Sequence, residues 1–385
     1  MFMEATKKRN PRLIEAAIEL HQQGEILPDT YVLDVDTILF NARAIVAEAK
    51  KHGIELYFML KQIGRNPKLA ELLLKEGFKA AVVVDFREAM TMMDHQIPLG
   101  NVGHLVQIPD HLLKKIISYG TEYITVYSLD KLKQINKVAK ELNVQQKVLL
   151  RVVDEGDALY PGQYGGFEMN QLLQYVEEFQ QLDSVEIAGV TSFPCFLYNP
   201  DIDQLEKTAN SDTLLKAMEL LREANFPVRE VNMPSTTSVY TLPFLARLGG
   251  TQGEPGHALT GTTPMHATKE LPEVPAIVYV SEVSHNFKGK AYLYGGGLYR
   301  RGNLNHVLIA KGTERKSGTI LPLPDENIDY YLEMEDEQPV GATAVMAFRT
   351  QIFVTRSEVA LVAGLKIGNP HIIGVYDSQG KYIRG

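Results

Sequence analysis

Tryptophan is absent from this chain of 385 residues, and cysteine occurs once, as Cys195. A single thiol cannot build an intrachain disulfide framework, and without a CxxC pair there is no structural zinc knuckle. A reducing, cytoplasmic setting is therefore the expectation. No segment approaches about 18 uninterrupted apolar residues, and the opening MFMEATKKRNPRLIEAAIELHQQG is a charged amphipathic pattern lacking the apolar stretch of an export signal. With 39 Lys and Arg against 47 Asp and Glu the net charge is −8, and no basic block is present. Neither a membrane nor a nucleic acid is an expected partner. The usual GxGxxG dinucleotide turn is also missing. What is present, 45% hydrophobic residues with 18 Tyr and 14 Phe, is the composition of a packed protein, long enough for one large domain and a smaller one.

After a helical extension over residues 1–30 and a short strand, YVLDV at 31–35, a unit of apolar strand followed by amphipathic helix begins at ELYFML, 55–60. It recurs through KAAVVV at 79–84, HLVQ at 104–107, EYITVYS at 122–128, KVLLRVV at 147–153, IAGVTSF at 187–193 and VREVNM at 228–233. Helices are expected after each, including 168–180, 204–224 and a stretch opening at Ser235. FLARLGG at 244–250 is the candidate eighth strand. Short apolar strands alternating with helices predict parallel strands buried on both faces. The fold class expected is α/β: a (β/α)₈ barrel over 31–264, preferred to an open doubly wound sheet, followed by a mostly β domain over 265–385. The 31–35 strand is free to join that second domain.

In such a barrel the residues at strand ends face the catalytic mouth. Lys61 directly follows the first strand in YFMLKQIGRNP, where an amine beside apolar walls can form a Schiff base with an aldehyde; a solvated lysine at a loop start is the plainer reading. MPSTTS after the seventh strand sets Ser235, Thr236 and Thr237 where hydroxyls and backbone N–H groups can meet a phosphate or cap a helix. GTQGEPGHALTG offers Glu254, Gly256 and His257, as a ligand loop or a crossover turn. Arg151 in the fifth strand suits an anion or an acidic neighbour. His104, Tyr160, Tyr164 and Cys195 are further mouth candidates with ordinary structural alternatives, and Arg65 and Lys68 are expected to be solvated.

Together these stretches resemble the fold type III pyridoxal-phosphate enzymes, the superfamily of alanine racemase, D-threonine aldolase and ornithine decarboxylase, and within it an amino-acid-racemase-like branch. TYVLDVDTILFNARAI at 30–45, LKQIGRNPKLAELLLKEGFKAAVVVDFREA at 60–89, MPSTTS and EPGH at 254–257 carry the likeness. The resemblance implies pyridoxal 5'-phosphate as cofactor, with His104, Arg151, Ser235, Thr236, Thr237, Gly256 and His257 around it. It makes Lys61 the Schiff-base lysine and Glu254 the partner of the pyridine nitrogen, supporting a quinonoid carbanion where alanine racemases use Arg. SFPCF at 192–196 stands where relatives place a ring-stacking histidine, and here supplies Phe193. No tyrosine follows the lysine closely; Tyr292, Tyr294 and Tyr299 in AYLYGGGLYRRG are candidates for the opposite-face acid or base, Tyr294 and Tyr299 foremost. No His–Cys metal pair and no C-terminal catalytic Cys are available. The implied activity is amino-acid racemisation with no metal, in a homodimer whose β domain reaches the other subunit's barrel. Decarboxylation or another lyase reaction, and a noncatalytic role in cofactor binding or homeostasis, are the alternatives.

Overall fold

The computed structural model describes residues 2–385. By internal contacts the chain forms two compact units: one holds Ala44–Leu60 and Ala70–Gly256, the other the N-terminal residues through Arg43, Lys61–Leu69 and His257–Gly385.

The unit built around Ala70–Gly256 is a closed barrel of eight parallel strands. In chain order they are Glu55–Met59, Ala80–Val82, Leu99–Val102, Tyr123–Val126, Gln146–Val153, Val185–Thr191, Glu230–Asn232 and Gln252–Gly253. Closure comes from Gln252–Gly253, which pairs with both Glu230–Asn232 and Glu55–Met59. Tyr57, Met59, Ala80, Val82, Tyr123, Leu149 and Ala188 form a buried apolar cluster of the barrel. Small residues are needed beside the large ones: a Cβ on Gly100 would stand 2.0 Å from the Tyr57 ring. The helices start where the sequence places caps. Asp85 accepts from the Glu88 N–H while the Glu88 carboxylate accepts from the Val84 N–H, and Ser128 caps Leu129–Glu141.

Several expected elements shift. The third strand is Leu99–Val102, not HLVQ, because LGNV carries the register to Val82 and Tyr123 despite its weak strand residues; His104 therefore lies just past the strand's end. The 168–180 helix is broken into Met169–Leu172, a 3₁₀ turn and Val176–Gln180. Gln204–Lys207 is a strand paired with Phe196–Asn199, and the helix there is Ala209–Glu223. FLARLGG is not the eighth strand: Pro243 in the first turn lets Leu242–Arg247 coil as a helix, and the strand is the two-residue Gln252–Gly253. No helix opens at Ser235 either: Thr236 has φ +38, outside the right-handed helical region, and 235–241 is bend and turn.

The other unit is a mostly antiparallel sheet of ten strands. Thr30–Asp34 lies within it, antiparallel to Ile277–Phe287 and parallel to Glu358–Ala363. The N-terminal helices Phe2–Arg9 and Pro11–Gln22 pack Leu13, Ala17 and Ile18 into the cluster that holds Val278, Val280 and Val345. Among the described residues no helix is long and apolar enough to cross a membrane.

This unit also fixes the Gly295–Gly297 loop. Tyr31 donates to the Gly297 carbonyl, Gly296 N–H donates to Asp329 at 3.0 Å, and a Cβ on Gly296 would stand 2.0 Å from the Asp29 carboxylate. Burial pushes the Asp29 carboxyl up to about 6, although the Ser357 and Tyr279 hydroxyls both donate to it. A carboxyl raised in the folded state stabilises the fold fully below its unfolded value of about 3.9, and that contribution is lost as the pH rises through about 6. Asp29→Asn, which cannot ionise, should gain on the wild type by about 1–2 kcal/mol between pH 4 and pH 7 in parallel denaturant titrations. A constant difference across that range would contradict the assignment.

Candidate functional site

Five strand ends of the barrel converge on one carboxylate. Glu254 follows the eighth strand, and its side chain is 0% exposed. The Asn232 amide, from the seventh strand, donates to Glu254 Oε1 at 2.9 Å, and the Asn101 amide, from the third, donates at 3.4 Å. Both amides are themselves oriented: Thr191 of the sixth strand donates to Asn232 Oδ1 at 2.7 Å, and Thr125 of the fourth donates to Asn101 Oδ1 at 2.8 Å. The Glu254 N–H donates to Thr237 Oγ1 at 3.0 Å. His104 Nε2 lies 3.8 Å from Glu254 Oε2, and its ring meets Phe193 edge-on at 6.3 Å. Asn101 and Asn232 have no counterpart in the sequence reading; their signal is an asparagine inside each of two short apolar strands, where a polar side chain pointing into the barrel needs a purpose.

The loop after the seventh strand is built to offer donors. Ser235, 1% exposed, accepts at Oγ from the N–H groups of Cys195 at 2.7 Å and Phe196 at 3.4 Å, which leaves its proton to be given outward. Thr236 has φ +38, a costly conformation for a β-branched residue, and its buried Oγ1 has no hydrogen-bond partner among the described residues. Thr237 serves differently, spending its oxygen on the Glu254 backbone.

Arg151 is 2% exposed and its donors are largely committed: Nη1 donates to the Tyr127 hydroxyl at 2.6 Å, Nη2 to the Gln163 carbonyl at 2.7 Å, and the guanidinium lies 4.8 Å over the Tyr127 ring. It ties the fifth strand to the GQYGG turn. Tyr160 packs on Phe193 at 5.5 Å between ring centres, while Tyr164 is 67% exposed. The Cys195 thiol is buried and donates to the Ser192 carbonyl, and burial pushes it well above the ordinary thiol range. Arg65, expected to be solvated, is 2% exposed instead: it donates to Gln379 at 2.7 Å and lies 5.0 Å from the Phe353 ring.

Within the β-rich unit Lys61 opens a 3₁₀ turn, Lys61–Ile63. Thr350 Oγ1 donates to the Gln62 carbonyl at 2.8 Å, fastening the turn to the FRTQIF stretch. His257 follows Gly256 directly and begins another 3₁₀ turn. Burial holds its imidazole well below the ordinary value, and the charges of Arg349 and Lys61 reinforce that neutral form. Tyr294 ends the strand Lys290–Tyr294, 38% exposed, with its ring 6.1 Å from Tyr331. Tyr299 is half-buried in a turn closed by the Gly302 N–H on its carbonyl, and Arg349 N–H donates to the Gly302 carbonyl at 3.1 Å. Tyr299, rather than Tyr294, is thereby tied to the segment that fastens the lysine's turn.

Comparison with known proteins identifies the family. Residues 33–264 match the family described as alanine racemase, N-terminal domain. The chain belongs to this family. Residues 278–372 match the YhfX-like C-terminal domain. The uncharacterized protein YhfX of Escherichia coli (strain K12) is 45% identical over 382 residues, 99% of each chain. Among solved structures, D-threonine aldolase from Filomicrobium marinum superposes with TM-score 0.66 at 13% identity, covering 92% of this chain and 95% of that one. Alanine racemase of Clostridium difficile 630, in complex with cycloserine, superposes with TM-score 0.63 at 16% identity, covering 91% and 99%. The fold is that of the fold type III pyridoxal-phosphate enzymes. Members of the family ordinarily bind pyridoxal phosphate and are typically homodimers.

Proposed function

We propose that the protein is a pyridoxal-phosphate-dependent amino-acid racemase. The observation that carries the proposal is the buried Glu254 carboxylate, aimed by the Asn232 and Asn101 amides inside an alanine-racemase-like barrel.

The residues fit the cofactor. Ser235 Oγ has a proton to donate, and the unpartnered Thr236 Oγ1 stands beside it on a strained loop; both suit a phosphate, with the N–H groups of Gly256 and His257 in support. Glu254 suits a protonated ring nitrogen, and His104 and Phe193 suit the faces or edge of the ring. Arg151 acts one step back, holding the loop that carries Tyr160. When bound, pyridoxal phosphate supplies an aldehyde carbon for the amine and a pyridinium that draws in the electron pair left on the α-carbon.

Lys61 Nζ would hold the cofactor's aldehyde carbon and, as a free amine, would be the base that takes the α-proton on one face. Tyr299 would hold the proton for the other face, from the turn that is bonded to the Arg349 segment. Glu254 keeps its partner nitrogen protonated throughout, and the amides on Oε1 hold the carboxylate in place as charge moves. No cysteine lies after Cys195, so a C-terminal thiol acid of the decarboxylase kind is not available.

The test is the purified holoprotein in deuterium oxide with a panel of single-enantiomer amino acids. A yellow protein that washes deuterium into the α-position and changes chirality without changing mass supports the reading. A new product of different mass would shift it to a lyase, and a coloured protein inert toward every member would leave a cofactor-binding protein.

A further inference from the structure

The β-rich unit places the FRTQIF stretch against the lysine's own turn. Thr350 is bonded to Gln62, the residue after Lys61, and Arg349 and Gln351 flank it in sequence. Gln351 Nε2 is 3.5 Å from His257 Nε2, and the charge of Arg349 acts on that imidazole together with the charge of Lys61. His257 is itself held by Thr262 at 3.3 Å and kept neutral, so it adds no third cation. Arg349 is anchored through its backbone to the Gly302 carbonyl. A guanidinium fork and an amide donor that both act at one imidazole supply the side-chain chemistry that takes a carboxylate.

We propose that Arg349 and Gln351 clamp the carboxylate of the substrate and thereby direct the reaction to the α-proton. The inference rests on the reading of Lys61 as the amine that meets cofactor and substrate. In α-proton removal the Cα–H bond breaks, the proton goes to Lys61 Nζ, the electron pair stays on Cα, and the carboxylate keeps its charge. In decarboxylation the bond from Cα to the carboxyl carbon breaks and neutral CO2 leaves, so the carboxylate's negative charge is surrendered. An ion pair to Arg349 stabilises the starting carboxylate and not that departing state, which slows loss of CO2 relative to proton removal. The clamp also selects amino acids over simple amines. FRTQIF carries no motif that singles it out in the sequence; its role follows from the Thr350 and Gln351 contacts.

The experiment titrates the holoprotein, followed by its visible spectrum, with matched pairs: alanine against ethylamine, glutamate against 4-aminobutyrate, serine against ethanolamine. Wild type is expected to prefer the amino acid in at least one pair. Arg349→Met should weaken that amino acid about 10- to 100-fold, leave the amine unchanged, and release labelled CO2 from the carboxyl-labelled amino acid above the wild-type level. Arg349→Lys, which keeps the charge but loses the fork, should fall between. Equal loss for acid and amine, no loss for either, or no preference in wild type would overturn the clamp. So would loss of pyridoxal phosphate with unchanged amino-acid affinity on reloading, which would assign Arg349 to the cofactor. A wild-type protein that never acquires cofactor absorption fails the proposed function instead, which keeps the two outcomes distinguishable.

Discussion

Lys61→Ala is expected to abolish the long-wavelength absorption of protein-bound pyridoxal phosphate and to lower α-proton exchange by at least about 10³-fold. Lys61 is half-buried at the first position of a 3₁₀ turn whose carbonyl at Gln62 is held from Thr350, so removing the side chain leaves the turn's fastening intact. Lys61→Arg should fail equally: the charge is kept, but a guanidinium neither forms the imine nor gives up its proton near neutral pH. Absorption spectra after exhaustive dialysis, with exchange followed by NMR, provide the readout. Exchange at the wild-type rate in either variant would remove Lys61 from the chemistry.

Glu254→Gln should give the second largest effect. The amide is the same size and can still be met at its oxygen by Asn232 and Asn101, so the barrel should fold and the cofactor should bind and absorb. What is lost is the negative charge that keeps the ring nitrogen protonated, and with it the pull on the electron pair at the α-carbon. A fall in exchange of about 10²- to 10³-fold with little change in the affinity for amino acid is expected, because the interaction matters most as charge develops. Asn232→Ala should reproduce part of that fall by loosening Oε1 alone. Unchanged exchange in Glu254→Gln would mean that the nitrogen's partner lies elsewhere.

Much of the barrel was readable because its strands and helices differ in period, and because Lys61 and Glu254 stand at the ends of strands. The eighth strand was not, since two residues, Gln252 and Gly253, carry no periodicity, whereas LPFLAR next to them does. The third strand failed for a related reason: Gly100 and Asn101 are poor strand formers on their own, and what places them is the Tyr57 ring on one and Glu254 on the other. The network around Glu254 was hidden because hydrogen bonds between strands far apart in sequence leave no local pattern; each asparagine reads as a turn residue until its partners are known. Arg65 defeats the sequence expectation because a charged residue in a loop is ordinarily solvated, whereas Phe353 and Gln379, 288 and 314 positions later, stand against it. The Ser235 loop was placed correctly, but its strain at Thr236 replaces the helix expected there.

The division of the chain has a consequence for how the protein is made. Thr30–Asp34 pairs with Ile277–Phe287 and Glu358–Ala363, so this strand waits for partners that are synthesised long after it. The eight barrel strands, in contrast, are all available once Gly253 has emerged. Two of the four places where the chain changes unit are Leu60–Lys61 and Gly256–His257, beside the residues assigned to the cofactor. The lysine's turn therefore gains its fastening only once Thr350 has emerged, well after the last barrel strand.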